Sequence, residues 1–180
     1  MKGMVFVELL DMADSLLGED VVDKVLNEVD LSTGGAYSAV GNYPCIELMA
    51  LIQAFSSHSG ASVTDLQIRF GRWMWNRFVR SYPDFLADKR DAFAMLEAIE
   101  GEVHVEVLKL YPDAELPKFD TERLDDGLRM VYSSPRPLMA FCQGLIEACL
   151  DHFGQKENIT LRNLSTERCT IAEFTIRTAV

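Results

Sequence analysis

His104 is the residue whose type and surroundings are most informative about chemistry. It lies in the segment GEVHVEVLKLY, where a helix would place His104, Leu108 and Tyr111 on one face. One interpretation is a core histidine held by a hydrogen bond, and this pattern alone is more typical of that role. The other is an axial ligand to haem iron, which needs one imidazole on a rigid helix beside an apolar pocket. The 10 Phe, 8 Met and 2 Trp residues supply enough large apolar surface for such a pocket.

Tyr132, Ser134 and Arg136 form a second group, in the segment VYSSPRPLM. Alternate residues of a strand point to the same side, so Tyr132 and Ser134 project together and Arg136 can follow at the strand end. Two hydroxyl donors and a guanidinium suit a carboxylate or a phosphate. The alternative is an edge strand that runs into a turn, with Arg136 in solvent.

Composition and missing signatures exclude several functional classes. Asp and Glu number 28 against 17 Lys and Arg, a net charge of -11, which disfavours a nucleic-acid ligand. The apolar N-terminal run carries Glu8, Asp11 and Asp14, so it fails as a signal peptide, and no uncharged apolar stretch reaches the ~18 residues of a membrane span. The four scattered cysteines suggest reduced thiols in the cytoplasm. Common nucleotide, hydrolase and metalloprotease motifs are missing, so we expect a binding module and not an enzyme.

Apolar spacing predicts an α+β protein with helices first and strands last. Helices are expected over about 5–17, 19–29, 44–55, 62–78 and 90–111, with Pro44 as the first residue of the third and Ser62 with Asp65 capping the fourth. Strands at 119–124 and 128–134 flank Asp125-Asp126-Gly127 as a hairpin. A further helix is expected from 138 to about 154, and strands at 159–164 and 169–176 complete a four-stranded sheet.

The sequence resembles the haem-nitric oxide/oxygen binding family, the H-NOX domains, and within it the bacterial standalone type. The likeness spans the chain through MKG, VGNYP, FGR, HVEVLKLYP, ELP, LDDG, YSSPR, GLIEA and DHFG. It implies one domain over 1–180, with a helical distal subdomain at about 1–84 and a proximal α/β subdomain at about 85–180. The proximal part would carry a four-stranded antiparallel sheet, and haem b would lie between the two parts.

The resemblance also implies roles for single residues. His104 matches the proximal histidine that binds the haem iron. Tyr132, Ser134 and Arg136 match the motif that holds the haem propionates, in agreement with their donor chemistry. Pro117 matches the proline that presses on the haem plane and helps to distort it.

On the distal side the resemblance implies a gas selectivity. Phe141 stands where dioxygen-binding members carry a distal tyrosine, and Leu9 and Met74 stand at the supporting polar positions. The implied distal wall is apolar throughout: Val5, Leu9, Met74, Phe78, Phe141 and Leu145. We therefore expect a sensor that binds nitric oxide, with carbon monoxide as a further candidate ligand, and excludes dioxygen. A dioxygen-binding sensor of the same fold is the alternative, and a donor hidden near Trp75 would favour it.

The resemblance further implies a switch and a partner. Nitric oxide would weaken or break the bond between His104 and iron, let the haem relax against Pro117 and shift the subdomains. The signal would pass in trans to a histidine kinase or a cyclic-di-GMP enzyme. Some members carry a zinc site near the C-terminus, but here only Cys169 matches and Met139 replaces a ligand cysteine, so no zinc is expected.

Overall fold

Helices form most of the first two-thirds of the chain, in a computed structural model that describes residues 1–178. Residues 179 and 180, which the predicted domain includes, lie outside the described residues. The α-helices are α1 (Gly3–Leu17), α2 (Glu19–Glu28), α3 (Cys45–Ser59), α4 (Val63–Ser81), α5 (Ala92–Ala98), α6 (His104–Leu110) and α7 (Met139–His152). A short 3₁₀ turn covers Pro83–Phe85.

Local signals fix the helix ends. Gly18, at a φ of 87°, ends α1, and its N–H bonds to the carbonyl of Asp14. The predicted cap of α4 is confirmed, since Ser62 Oγ accepts the N–H of Asp65 at 3.0 Å. The prediction that Pro44 is the first helical residue is wrong by one position. Its φ of -63° suits a helix, but its ψ of 132° is extended, so Pro44 is the N-cap of α3.

The helix predicted over 90–111 is interrupted by one wide turn. A π-helical segment, Ile99–Val103, connects α5 to α6, and the N–H of His104 bonds to the carbonyl of Ile99, five residues earlier. Val103, Val105 and Val107 alternate as they would in a strand, but they lie in the π segment and α6. His104 is therefore the first residue of a short helix that follows an irregular turn.

The strands form one antiparallel sheet, which confirms the predicted α+β class. They are β1 (Lys118–Leu124), β2 (Gly127–Ser134), β3 (Glu157–Asn163) and β4 (Thr170–Thr178), in the order β1-β2-β4-β3. β1 and β2 are joined by a two-residue turn, with Leu124 opposite Gly127. A side chain at Gly127 would clash with the carbonyl of Ile176 on β4, so this glycine allows the close approach of two strands.

The buried side chains fall into two cores. The N-terminal core comes from α1 to α4 and includes Phe6, Leu48 and Phe70, and the C-terminal core comes mainly from α5, α7, β2 and β4 and includes Phe93 and Phe174. Helices α4 and α7 run between the two cores and contribute to both.

The backbones of α4 and α7 touch where they cross. A Cβ atom at Gly71 would clash with the carbonyl of Phe141, and one at Gly144 would clash with the carbonyl of Ile68. Glycine at both positions lets the helices approach more closely than any other residue would allow. Within residues 1–178, no helix is long and apolar enough to cross a membrane.

Candidate functional site

His104 lies half-buried between the π segment and the sheet. Its side chain is 13% exposed, its Nδ1 lies 3.1 Å from Glu100 Oε1, and its ring centroid is 5.7 Å from that of Phe119. Burial lowers the pKa of His104, and the Glu100 carboxylate opposes that effect. A carboxylate only accepts hydrogen bonds, so the neutral ring carries its proton on Nδ1. Nε2 has no hydrogen-bond partner among the described residues and keeps its lone pair for a metal.

Tyr132, Ser134 and Arg136 come together as the strand alternation predicts, and we call them the donor cluster. Tyr132 and Ser134 are buried on the same side of β2. The N–H of Arg136 donates to Ser134 Oγ at 3.1 Å, and Tyr132 Oη lies 3.5 Å from the carbonyl of Arg136. Burial raises the pKa of Tyr132 to about 12, so its hydroxyl remains a donor at neutral pH.

The guanidinium of Arg136 is available for a stronger anionic partner. It donates to the Glu115 carbonyl and, at 2.7 Å, to Glu115 Oε2. The Glu115 side chain is 80% exposed whereas that of Arg136 is 13% exposed. An ion pair with so exposed a carboxylate contributes little, so a bound carboxylate could replace Glu115 at low cost. The alternative interpretation, in which Arg136 lies in solvent, does not fit these contacts.

Phe119 connects His104 to the donor cluster. Its ring centroid is 5.7 Å from those of both His104 and Tyr132, and it pairs with Tyr132 across β1 and β2. Pro117 immediately precedes β1, two residues before Phe119. The imidazole, the proline and the donor cluster thus lie around the start of β1. Sequence reasoning missed Phe119, which no motif marks, and Glu100, which its position four residues before His104 could have indicated.

The six residues of the predicted distal wall all pack on the N-terminal core. They come in pairs from α1, α4 and α7: Val5 and Leu9, Met74 and Phe78, Phe141 and Leu145. Leu9 and Met74 are fully buried, whereas the other four are partly buried. The Phe141 ring lies 5.0 Å from that of Phe70, which belongs to the same core.

The polar side chains beside this wall on α1 and α4 are bonded to one another. Buried Glu8 accepts from Trp73 Nε1 at 3.0 Å and from Arg77 Nε at 2.6 Å. Trp75 lies elsewhere, in the C-terminal core with its ring 5.9 Å from that of His152. It is roughly 100° around α4 from Met74. It is also three residues before the wall residue Phe78, roughly 60° around the helix, and its buried Nε1 has no hydrogen-bond partner among the described residues.

A family model described as Haem-NO-binding matches residues 2–161 of the chain. The chain belongs to this family, the H-NOX domains. Its fold matches the Fe(II) unliganded H-NOX protein from K. algicida with a TM-score of 0.93 and 34% identity, covering 100% of this chain and 97% of that one. The IWP-051-bound H-NOX from Shewanella woodyi is also 34% identical, with a TM-score of 0.81 and coverages of 97% and 94%.

A solved structure with lower sequence identity is similar to this chain in fold alone. The H-NOX protein from S. oneidensis, solved in the Fe(II)NO ligation state, is 24% identical with a TM-score of 0.84, covering 99% of this chain and 100% of that one. Among curated proteins, none matches this chain.

The side chains of this H-NOX chain fit haem b, the cofactor of the family. An imidazole nitrogen is free for iron, two hydroxyls and a guanidinium are grouped for the propionates, and an apolar wall is present. Within the described residues, no group of three or more His, Cys, Asp or Glu side chains lies close enough to hold a metal ion.

Proposed function

We propose that this H-NOX chain is a haem-based sensor that binds nitric oxide and excludes dioxygen. The observation that carries the proposal is the composition of the distal wall, six apolar side chains from three helices with the neighbouring donors Trp73 and Arg77 bonded to Glu8. Bound haem supplies an iron atom at which a diatomic gas coordinates.

On the proximal side, each polar residue has one task in this proposal. His104 Nε2 ligates the iron, and Nδ1 is occupied by Glu100. Arg136, Tyr132 and Ser134 bind the propionate carboxylates through charge-assisted and hydroxyl hydrogen bonds. Pro117, next to β1, is the residue that would contact the ring system and help to distort it.

The distal wall explains the selectivity. Dioxygen draws more negative charge as a ligand than nitric oxide does, so its retention depends more on a hydrogen-bond donor in the pocket. A hydrogen bond to a charged group contributes about 1.5–3 kcal/mol, or roughly 10- to 150-fold in affinity. A wall without a donor lacks this stabilisation for bound dioxygen. The affinity for nitric oxide depends less on such a bond and should fall little.

Helix α6 is suited to transmit the signal. It has seven residues, none of them buried, and it follows the irregular π segment. Elements with few buried contacts open at low free-energy cost. Weakening or loss of the bond at His104 would free α6 and shift the proximal subdomain (about 85–180) against the distal subdomain (about 1–84).

The partner is a separate signalling protein, a histidine kinase or a cyclic-di-GMP enzyme, and the sensor itself is not catalytic. Such a partner responds only if it binds the two shapes with different affinity. A cytoplasmic location stays a prediction from the sequence.

Phe141→Tyr tests the selectivity, because it adds a phenol donor to the wall. We expect the ferrous variant to retain dioxygen roughly 10- to 150-fold more tightly than the parent, mainly through slower dissociation. Stopped-flow displacement of dioxygen by carbon monoxide measures that rate. Phe153→Tyr, a matched change against the C-terminal core, should leave it unchanged. A parent protein that already holds dioxygen stably would overturn the proposal in favour of a dioxygen sensor.

A further inference from the structure

Glu100 forms two hydrogen bonds with one oxygen atom, and they join two elements of the candidate site. Its Oε1 lies 3.1 Å from His104 Nδ1 and accepts the backbone N–H of Phe119 at 2.7 Å. His104 begins α6, whereas Phe119 lies in β1. A single carboxylate oxygen therefore holds the ring of the proximal histidine and the start of β1 together.

The π turn and the sheet edge bring these groups together. Glu100 belongs to the π segment, four residues before His104. β1 is an edge strand with β2 on its other side, so its outward N–H groups need acceptors from outside the sheet. Glu100 provides the acceptor for Phe119, whose ring packs against that of His104 at 5.7 Å.

The geometry points to Glu100 as the positioning residue of the proximal ligand, an inference that rests on the proposed role of His104. A carboxylate on Nδ1 fixes the tautomer and the orientation of a ligating imidazole and makes Nε2 a stronger donor to the metal. Since the same oxygen holds Phe119, the ring cannot leave its position without disturbing the attachment of α6 to β1. Glu100 thus sets both the strength of the bond to His104 and its mechanical connection to the sheet.

The solvent exposure of Glu100, taken alone, would indicate a weaker role for this residue. The Glu100 side chain is 43% exposed, and solvent-exposed ion pairs contribute little to stability. The His104 side chain, however, is only 13% exposed, and the second bond to a backbone N–H fixes the carboxylate in place. The pair therefore differs from Glu106–Lys109, where both side chains are largely exposed on α6.

The test compares Glu100→Ala and Glu100→Gln with the control Glu106→Gln, which removes a carboxylate two residues from His104. Resonance Raman spectroscopy of the ferrous haem-loaded protein without gas measures the iron–histidine stretching frequency. We expect Glu100→Ala to lower this frequency, Glu100→Gln to lower it less because an amide oxygen still accepts, and Glu106→Gln to leave it unchanged. Haem-iron affinity for the imidazole should fall roughly 10- to 100-fold in Glu100→Ala.

A second readout does not depend on the iron. Amide hydrogen exchange at Phe119, followed by NMR in the carbon monoxide complex, should become about tenfold faster in Glu100→Ala and stay unchanged in Glu106→Gln. Unchanged frequency and unchanged exchange in both Glu100 variants would overturn the positioning role alone. An iron–histidine band that persists in His104→Gly would instead overturn the ligand assignment and with it the proposed function.

Discussion

The distal wall and the proximal side of the candidate site are built from opposite chemistry. The six residues of the distal wall carry no hydrogen-bond donor in their side chains, and the nearby carboxylate of Glu8 is already bonded to Trp73 and Arg77. On the proximal side, His104 and the donor cluster carry polar atoms that form hydrogen bonds. In the proposed function, polar groups on one side of the site would hold the cofactor, and the absence of such groups on the other side would select the gas.

The two regions also differ in how firmly they are held. The distal wall rests on the N-terminal core, and the glycines at the crossing of α4 and α7 bring the two backbones into contact. Helix α6, which carries His104, has no buried residue. A closely packed wall keeps the shape of the pocket, whereas a loosely held helix can move. In the proposed function, the signal would therefore pass to the partner from the proximal side.

Replacing the imidazole should have the largest effect. We expect His104→Gly to lose axial ligation by the protein, because it removes the imidazole whose Nε2 would bind the iron, while circular dichroism stays close to that of the parent. The absorption spectrum of the reduced protein measures this change. His58→Ala, which removes an imidazole of α3 that pairs with Glu28 of α2, is the control. A normal five-coordinate ferrous spectrum in His104→Gly would show that the ligand lies elsewhere.

Removing the guanidinium of the donor cluster should have an intermediate effect. Arg136→Ala deletes a charge-assisted bond to a propionate, which contributes about 1.5–3 kcal/mol, so haem loss should be roughly 10- to 150-fold faster. Transfer of haem to an excess of an acceptor apoprotein measures the rate. Arg129→Ala changes an arginine within β2, before the donor cluster, that is paired with Glu173 and Glu122, and this variant should retain haem like the parent. Equal retention in both variants would remove Arg136 from the site.

Adding a methyl group where α4 and α7 cross should have the smallest effect. It should lower the stability of the fold and leave the chemistry of the site unchanged. The added methyl group in Gly144→Ala would meet the carbonyl of Ile68, and overpacking of this kind lowers the free energy of unfolding by about 1–3 kcal/mol. Gly101→Ala is the matched control, because a Cβ there meets nothing within 4 Å. Urea denaturation compares the two variants. Equal midpoints would mean that the close approach of α4 and α7 is not required.

Much of the fold is predictable from local patterns. Ser62 with the apolar residues that follow at intervals of four specifies α4, and the Asp-Asp-Gly signal specifies the β1–β2 hairpin, because caps and turns are short-range effects. The π turn is not predictable, since nothing in IEGEV marks a widened turn. Glu100 of this segment accepts the N–H of Phe119 in β1, a contact between two parts of the chain that local patterns do not relate.

The candidate site likewise contains features that the sequence predicts and features that it does not. The grouping of Tyr132 and Ser134 follows from strand alternation, and their role follows from the resemblance. The contacts of Phe119 and Glu100 with His104 join the proximal helix and its preceding turn to the first strand. Such pairings depend on how distant segments pack, which residue spacing along one chain does not specify.

The most direct test of the central claim is an anaerobic absorption spectrum of the reduced, haem-loaded protein, repeated with nitric oxide and, on a fresh sample, with air. The account predicts a five-coordinate ferrous spectrum that changes with nitric oxide and forms no stable dioxygen complex in air. A dioxygen complex that persists would contradict the claim that the distal wall lacks a donor.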